Sequence, residues 1–203
     1  MMPVISKMYC STTRQVLVVR QRPPMVGGGG FVVTDYRQEV VFKVDGCGII
    51  GKKGELILRD GIHGDPLILI RQHGGMVQAL SLDEKWNGYA QNYQGLEELV
   101  FCVKETAACF AGKNNVIKIT IDPNWGCGRD WKFEIRGNFP DKNCSIVDSA
   151  GNIVAEIGVK EDMKRLMATN DIFYVVVQPG IDQAFVFGVI GVLDCIYGES
   201  TRC

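Results

Sequence analysis

The sequence predicts a mainly β domain closed around a single apolar helix near its C-terminus. Residues 184–197 hold one charge, Asp194, and their apolar side chains fall on every helical face rather than along one stripe. A helix that is apolar all round has to be enclosed, and this one falls far short of the ~20 residues needed to cross a bilayer. Almost everything upstream reads as short β-branched or aromatic runs, which supply the container. Their close spacing means hairpins, hence an antiparallel barrel or sandwich.

Composition agrees with one domain, or one pair of fused half-domains. The chain has 203 residues, of which 46% are hydrophobic and 22% charged, enough apolar mass for a real core. A net charge of −1 and a pI near 6.1 argue against a general nucleic-acid binder. Residues 1–15 are polar, carry Lys7 and Arg14 and lack an apolar signal core, so an intracellular, cytoplasmic protein is expected.

Taken in order, residues 1–29 are expected to form a flexible arm and loop, because Pro23-Pro24 and the glycines 27–30 disfavour regular structure. Strands are expected at 31–34, 40–44, 55–59, 67–72, 76–80, 87–91, 99–103, 116–121, 131–136, 144–148, 153–159 and 172–177. Each is bounded by Gly, Asp, Asn or Pro. A second, short helix is expected at 161–169, the enclosed helix at about 182–197, and a tail at 198–203. The domain proper is then 30–197.

An internal echo supports closure. Thr34-Asp35 with Val40-Val41-Phe42-Lys43-Val44 matches Val147-Asp148 with Ile153-Val154-Ala155-Glu156-Ile157 at one constant offset, each copy being strand, polar turn, strand. Two similar halves of about six strands would close one barrel, with the helix as its filling.

Eight cysteines are present and none forms a Cys-x-x-Cys pair, so zinc-ribbon and redox spacings are absent. Without a secretory signal, buried free thiols are the expected state, Cys195 within the apolar helix above all.

Several motifs invite a functional reading and each has a plainer one. Gly46-Cys47-Gly48-Ile49-Ile50-Gly51 satisfies G-x-G-x-x-G, but Lys52-Lys53-Gly54-Glu55 leads into a strand instead of the helix that would hold a pyrophosphate. A glycine-rich hairpin connection is expected. His63 and His73, the two histidines, lie in Gly-flanked turns with Asp60 and Asp65 beside His63, a pattern that turn chemistry alone produces. No Gly-x-Ser-x-Gly stands in the sequence, and no enzyme, cofactor or metal site is expected. Trp86, Trp125 and Trp131 read as packing residues. Asp194 must be paired, hydrogen-bonded, protonated or at the rim of the enclosure, with the rim as the favoured reading.

Two blocks carry a resemblance. The hairpin Cys144-Ser145-Ile146-Val147-Asp148-Ser149-Ala150-Gly151-Asn152-Ile153-Val154-Ala155-Glu156-Ile157 is one. The other is Val175-Val176-Val177-Gln178-Pro179-Gly180-Ile181-Asp182-Gln183-Ala184-Phe185, running on to Asp194. Both resemble the LURP-one-related proteins of plants, over roughly 30–197. The resemblance implies the Tubby C-terminal-like fold, a twelve-stranded antiparallel barrel around a central hydrophobic helix, shared with phospholipid scramblases.

It also implies a non-enzymatic interaction or membrane-tethering module, in a family with members linked to pathogen defence. Tubby relatives suggest phosphoinositides as the ligand class. Lys160, Lys164 and Arg165, which share one face of the expected 161–169 helix, are the head-group candidates, with Glu161 and Asp162 beside them. Lys52-Lys53 is a weaker one. The alternative is a scramblase-like lipid-handling protein, disfavoured by an arm with only Pro3, Pro23, Pro24 and Cys10.

Overall fold

In the computed structural model, twelve strands close one antiparallel barrel around one helix. The structure describes residues 3–23, 28–73, 84–91, 97–106, 116–121, 132–159 and 171–197. In chain order the elements are β1 (Gln15–Gln21), β2 (Gly30–Thr34), β3 (Val40–Asp45), the single turn α1 (Cys47–Ile50), β4 (Glu55–Asp60), β5 (Pro66–His73) and β6 (Glu84–Gln91). There follow β7 (Glu97–Thr106), β8 (Val116–Thr120), β9 (Phe133–Asn138), β10 (Asn143–Asp148), β11 (Ile153–Gly158), β12 (Ile172–Val177) and α2 (Gln183–Ile196). Each strand pairs with its neighbours in sequence, and β1 pairs with β12 to close the wall, Leu17 opposite Val175.

β1 corrects the expected arm at 1–29. The run Val16-Leu17-Val18-Val19 is β-branched and alternates, with Leu17 and Val19 buried and Arg20 exposed. The polar residues on either side hid it. Before β1 the chain is also fastened: a strap from Pro3 to Thr13 carries a 3-10 turn at Lys7–Tyr9 and ends against the start of α2. The strand expected at 76–80 and the helix expected at 161–169 lie outside the described residues. Gly46 to Gly51 does connect two strands, and it contains the α1 turn, which Gly51 closes in the left-handed region at φ 75°.

The two halves share one hairpin design. In both β2–β3 and β10–β11, an Asp carboxylate oxygen accepts from the backbone N–H groups two and four residues on. For Asp35 the donors are Arg37 and Glu39 at 2.8 and 2.9 Å, and for Asp148 they are Ala150 and Asn152 at 2.9 and 2.8 Å. A register shift precedes each turn at equivalent places, Val33/Thr34 and Ile146/Val147. The echo read from the sequence is this capped, bulged hairpin.

Inside, α2 is buried from Ala184 to Asp194. Phe185 lies between Phe101 and Phe133, with ring centres 5.7 and 5.1 Å away, and Phe187 meets Phe42 at 5.5 Å. Gly188 lets the helix approach the wall, since a Cβ there would sit 3.2 Å from Ile68 and 3.3 Å from the Phe101 ring. Each enclosed Val, Leu, Ile or Phe contributes roughly 1.5–3 kcal/mol of burial, so the helix is a principal part of the core. Among the described residues, no helix is long and apolar enough to cross a membrane.

Both helix ends are hydrogen-bonded inside the wall. Asp182 caps the N-terminus through Oδ1, which accepts from Ala184 and Phe185, while Oδ2 accepts from Ile5 and Ser6 of the strap. Asp194 corrects the rim expectation: it is 1% exposed and accepts a hydrogen bond from the side-chain amide of Gln21, the last, inward-facing residue of β1. Trp86 is buried in the core as expected, and Trp125 and Trp131 lie outside the described residues.

Candidate functional site

Because α2 fills the lumen, the outer wall and the two ends are the surfaces on offer. Strand alternation decides which side chains reach the wall. Across β1 to β4 one outward row runs Arg20, Val32, Lys43, Arg59, each residue directly opposite the next. Placing Lys43 opposite Arg59 costs stability, since like charges on facing positions repel.

Asp45 braces the row. Its Oδ2 accepts from Arg59 Nε at 2.7 Å and its Oδ1 from Arg22 Nη2 at 3.0 Å, so one carboxylate orients two guanidinium groups. Arg22 also donates to the Val44 carbonyl at 2.6 Å, and Arg59 to the Gly64 carbonyl at 3.3 Å. Gly30 makes room for this at φ 91°: a Cβ would lie 1.9 Å from the Val44 oxygen and 2.9 Å from the Arg22 nitrogen. Asp45 thus holds two arginine forks, with Lys43 two positions along its own strand and Arg20 further along the same row, an arrangement suited to a multiply charged phosphate.

A second basic row crosses β6, β7 and β8 at Lys85, Lys104 and Lys118. Cys102, two positions from Lys104 and on the same outward face, is only 3% exposed, and Asn87 beside it has a buried side-chain oxygen. Lys85, Lys104 and Lys118 are half-buried, as Lys43 is, whereas Arg20 of the β1–β4 row is exposed.

Two adjoining grooves of about 600 and about 570 Å³ flank the strap and share Val4, Glu98 and Val100. Leu99, Ile121 and Phe133 line the larger, with Lys132, Glu98 and Asp148 as its charged members. That mixture of signs does not favour a polyanion.

The other sequence candidates are placed as follows. Lys160, Lys164 and Arg165 lie outside the described residues. Lys52 pairs with Glu55 at 3.7 Å. His63 is exposed in the β4–β5 turn with Nδ1 3.4 Å from Asp60. The His63 backbone N–H, with that of Ile62, holds the Asp60 carboxyl below its ordinary pKa. His73 ends β5. Among the described residues, no group of three or more His, Cys, Asp or Glu side chains is placed to hold a metal ion.

Cys10, Cys144 and Cys195 are thiols outside any disulfide, as expected, with Cys144 buried and Cys10 and Cys195 half-buried. The thiol expectation is corrected for Cys47 and Cys102, which are each disulfide-bonded. Spacing along the chain carries no information on which sulfurs meet across a barrel wall.

Sequence reasoning missed Arg20, Arg22, Lys43 and Arg59. They are dispersed over β1, β3 and β4, with Arg22 just beyond the end of β1, and only the pairing register assembles them. The available signal was their parity: each of Arg20, Lys43 and Arg59 alternates with buried apolar neighbours.

Comparison with known proteins matches this architecture. A family model described as LURP-one-related matches residues 15–194. Protein LURP-one-related 6 of Arabidopsis thaliana is 50% identical across the whole of both chains. LURP-one-related 16 of the same plant is 44% identical over 99% of this chain and 95% of its own. The X-ray structure of another Arabidopsis thaliana protein superposes with a TM-score of 0.66 at 20% identity, covering 96% of this chain and 98% of that one, and so shares the fold. With a family match that starts at β1 and ends at Asp194 of the enclosed helix, this chain belongs to the LURP-one-related family of plants.

Proposed function

We propose that this protein is a non-enzymatic intracellular module that tethers to membranes by binding a phosphoinositide head group on the outer wall of β1–β4. The same plant-defence setting that the family resemblance implies is part of the proposal. The observation that carries it is the row Arg20, Lys43, Arg59 with Arg22, in which strand register assembles cations and Asp45 fixes two of them. A filled lumen supports a surface role over a substrate chamber.

Liposome co-sedimentation at two salt concentrations tests the reading, with phosphatidylcholine vesicles carrying or lacking phosphatidylinositol bisphosphate. The expected result is saturable binding that needs the phosphoinositide and weakens with salt. Paired replacement of Arg20→Glu and Lys43→Glu should abolish it, and soluble inositol hexakisphosphate should compete. Phosphoinositide binding that survives the double replacement but is lost in Lys160→Glu with Lys164→Glu would move the site to the 160–170 segment. Absence of binding at both salts rejects the proposal.

A further inference from the structure

Three large apolar side chains stand out on this surface. Met8, Tyr36 and Ile62 are 87, 77 and 81% exposed, and among the described residues they are the large hydrophobics more than half open to solvent. They sit on three separate segments at one end of the barrel: the 3-10 turn of the strap, the β2–β3 turn and the β4–β5 turn.

These segments are fastened to one another. The Tyr9 ring packs on Phe42 of β3 at 5.4 Å, and burial, together with the negative charge of Asp60 at the end of β4, pushes the Tyr9 hydroxyl pKa up. Gly61 donates to the Val41 carbonyl at 2.8 Å and lies so close to the start of β3 that a Cβ would be 2.2 Å from the Val40 oxygen. The three tips therefore form a single rigid rim.

Each tip pairs its apolar residue with a basic neighbour: Lys7 before Met8, Arg37 after Tyr36, His63 after Ile62. Arg37 lies over the Tyr36 ring at 5.2 Å and donates to its hydroxyl at 2.8 Å. The turn carboxylates are held by backbone N–H groups. Asp35 accepts from the N–H groups of Arg37 and Glu39, and Asp60 from those of Ile62 and His63. Glu39 and Asp65 are the remaining acids of the two turns and are exposed.

We infer that Met8, Tyr36 and Ile62 insert into the interfacial layer of a phospholipid bilayer, with Lys7 and Arg37 at the level of the phosphates. The inference rests on the tethering reading and gives it an orientation. Separate convex tips suit a deformable apolar layer, whereas a protein partner needs a matching pocket for each. Aromatic and basic side chains side by side are what the membrane–water boundary favours. The rim is also continuous with the basic wall: Arg59 immediately precedes Asp60, and β3 carries Lys43 away from the Tyr36 turn. A barrel tilted onto this edge would press both against one membrane.

The test uses the full chain with a triple replacement, Met8→Asp, Tyr36→Asp and Ile62→Asp. These side chains touch solvent, so the thermal midpoint should stay within a few degrees of wild type, which is checked first. Vesicles of phosphatidylcholine, phosphatidylserine and phosphatidylinositol bisphosphate are used for partition, and inositol hexakisphosphate for head-group binding in solution. The expected result is a loss of vesicle partition of at least tenfold with binding of the soluble phosphate unchanged. The Arg20→Glu, Lys43→Glu protein should lose both. As a second readout, Ile62→Trp fluorescence should be quenched by brominated lipid more than that of the wild-type protein. Equal partition of the triple variant and wild type overturns the insertion while leaving the head-group reading intact. Loss of binding to a protein partner with vesicle partition unchanged overturns it in favour of a protein-docking rim. If the triple variant loses vesicle partition while the Arg20→Glu, Lys43→Glu variant binds vesicles normally, insertion stands and the basic wall falls.

Discussion

Ile5 donates its backbone N–H to Asp182 Oδ2 at 2.7 Å, while the other oxygen of that carboxylate caps the central helix. One side chain thus holds two parts of the chain that are 177 residues apart. Asp182→Asn is expected to separate the two roles. The amide oxygen can still cap α2, but the amide nitrogen would face the N–H groups of Ile5 and Ser6. The strap should then loosen with a small loss of stability, whereas Asp182→Ala should also lose the cap, about 0.5–2 kcal/mol. Hydrogen exchange at Ile5 and Ser6, with thermal unfolding, checks both.

Gly188 offers a graded test of the enclosed helix. Gly188→Ala gains roughly 1 kcal/mol of helix propensity and meets Ile68 and Phe101 only at tight contact distance, so it should be close to neutral. Gly188→Asp buries an unpaired charge and should cost at least ~3 kcal/mol. Truncation after Gly180 should leave an insoluble or molten chain. Chemical denaturation of the two point variants would reject the enclosed-helix account if their midpoints coincided.

Gly30→Ala should cost more than ~2 kcal/mol, because it combines φ 91° with a Cβ 1.9 Å from the Val44 oxygen. The strain falls where Arg22 reaches Asp45, so phosphoinositide binding should weaken as well. Parallel measurement of stability and vesicle partition checks the pairing.

Acid should loosen the turns. Asp148 is held below its ordinary pKa by the side-chain and backbone N–H groups of Asn152, and Asp60 by the backbone N–H groups of His63 and Ile62. A depressed carboxyl stabilises the fold above its unfolded pKa, near 4, and that contribution is lost as pH falls through the depressed value. The melting temperature of wild type should therefore drop as pH is lowered from about 5 to about 3. The double replacement Asp60→Asn, Asp148→Asn, which keeps an acceptor oxygen at each turn, should flatten that slope. Identical slopes would remove these turns from the acid response.

Burial pushes the Cys144 thiol up to about 12, against a smaller opposing effect of Lys142. Almost no thiolate exists at neutral pH, and the sulfur is enclosed. Iodoacetamide should leave Cys144 unmodified in the native protein and label it after denaturation, as read by peptide mass spectrometry.

The apolar helix and most strands were legible because burial on every face and two-residue alternation are written directly in residue order. Asp182 was readable in the Gln-Pro-Gly-Ile-Asp block, but not its hold on Ile5 and Ser6, which depends on where the strap crosses the barrel. β1 went unread because its run Val16 to Val19 is short and its flanks, Gln15 and Arg20, are polar. Lys142 was unreadable too. It is 1% exposed, with its ammonium 4.2 Å from the Phe139 ring centre and 5.1 Å from that of Phe173, although lysine in a turn normally implies solvent. The basic wall failed to show for a different reason. Arg20, Lys43 and Arg59 become neighbours only through pairing register, and register is a property of the closed sheet.

The seam between β1 and β12 sets an order on biosynthesis. The first strand to leave the ribosome finds its second partner only when residues 172–177 have been made, and the helix that fills the lumen comes later still. Until then the wall has two open edges and an unfilled interior, both prone to pairing with other chains. Closure across nearly the full length of the chain also makes for slow folding. A chain stalled before α2 therefore has neither a filled core nor the fastening that Asp182 gives the strap.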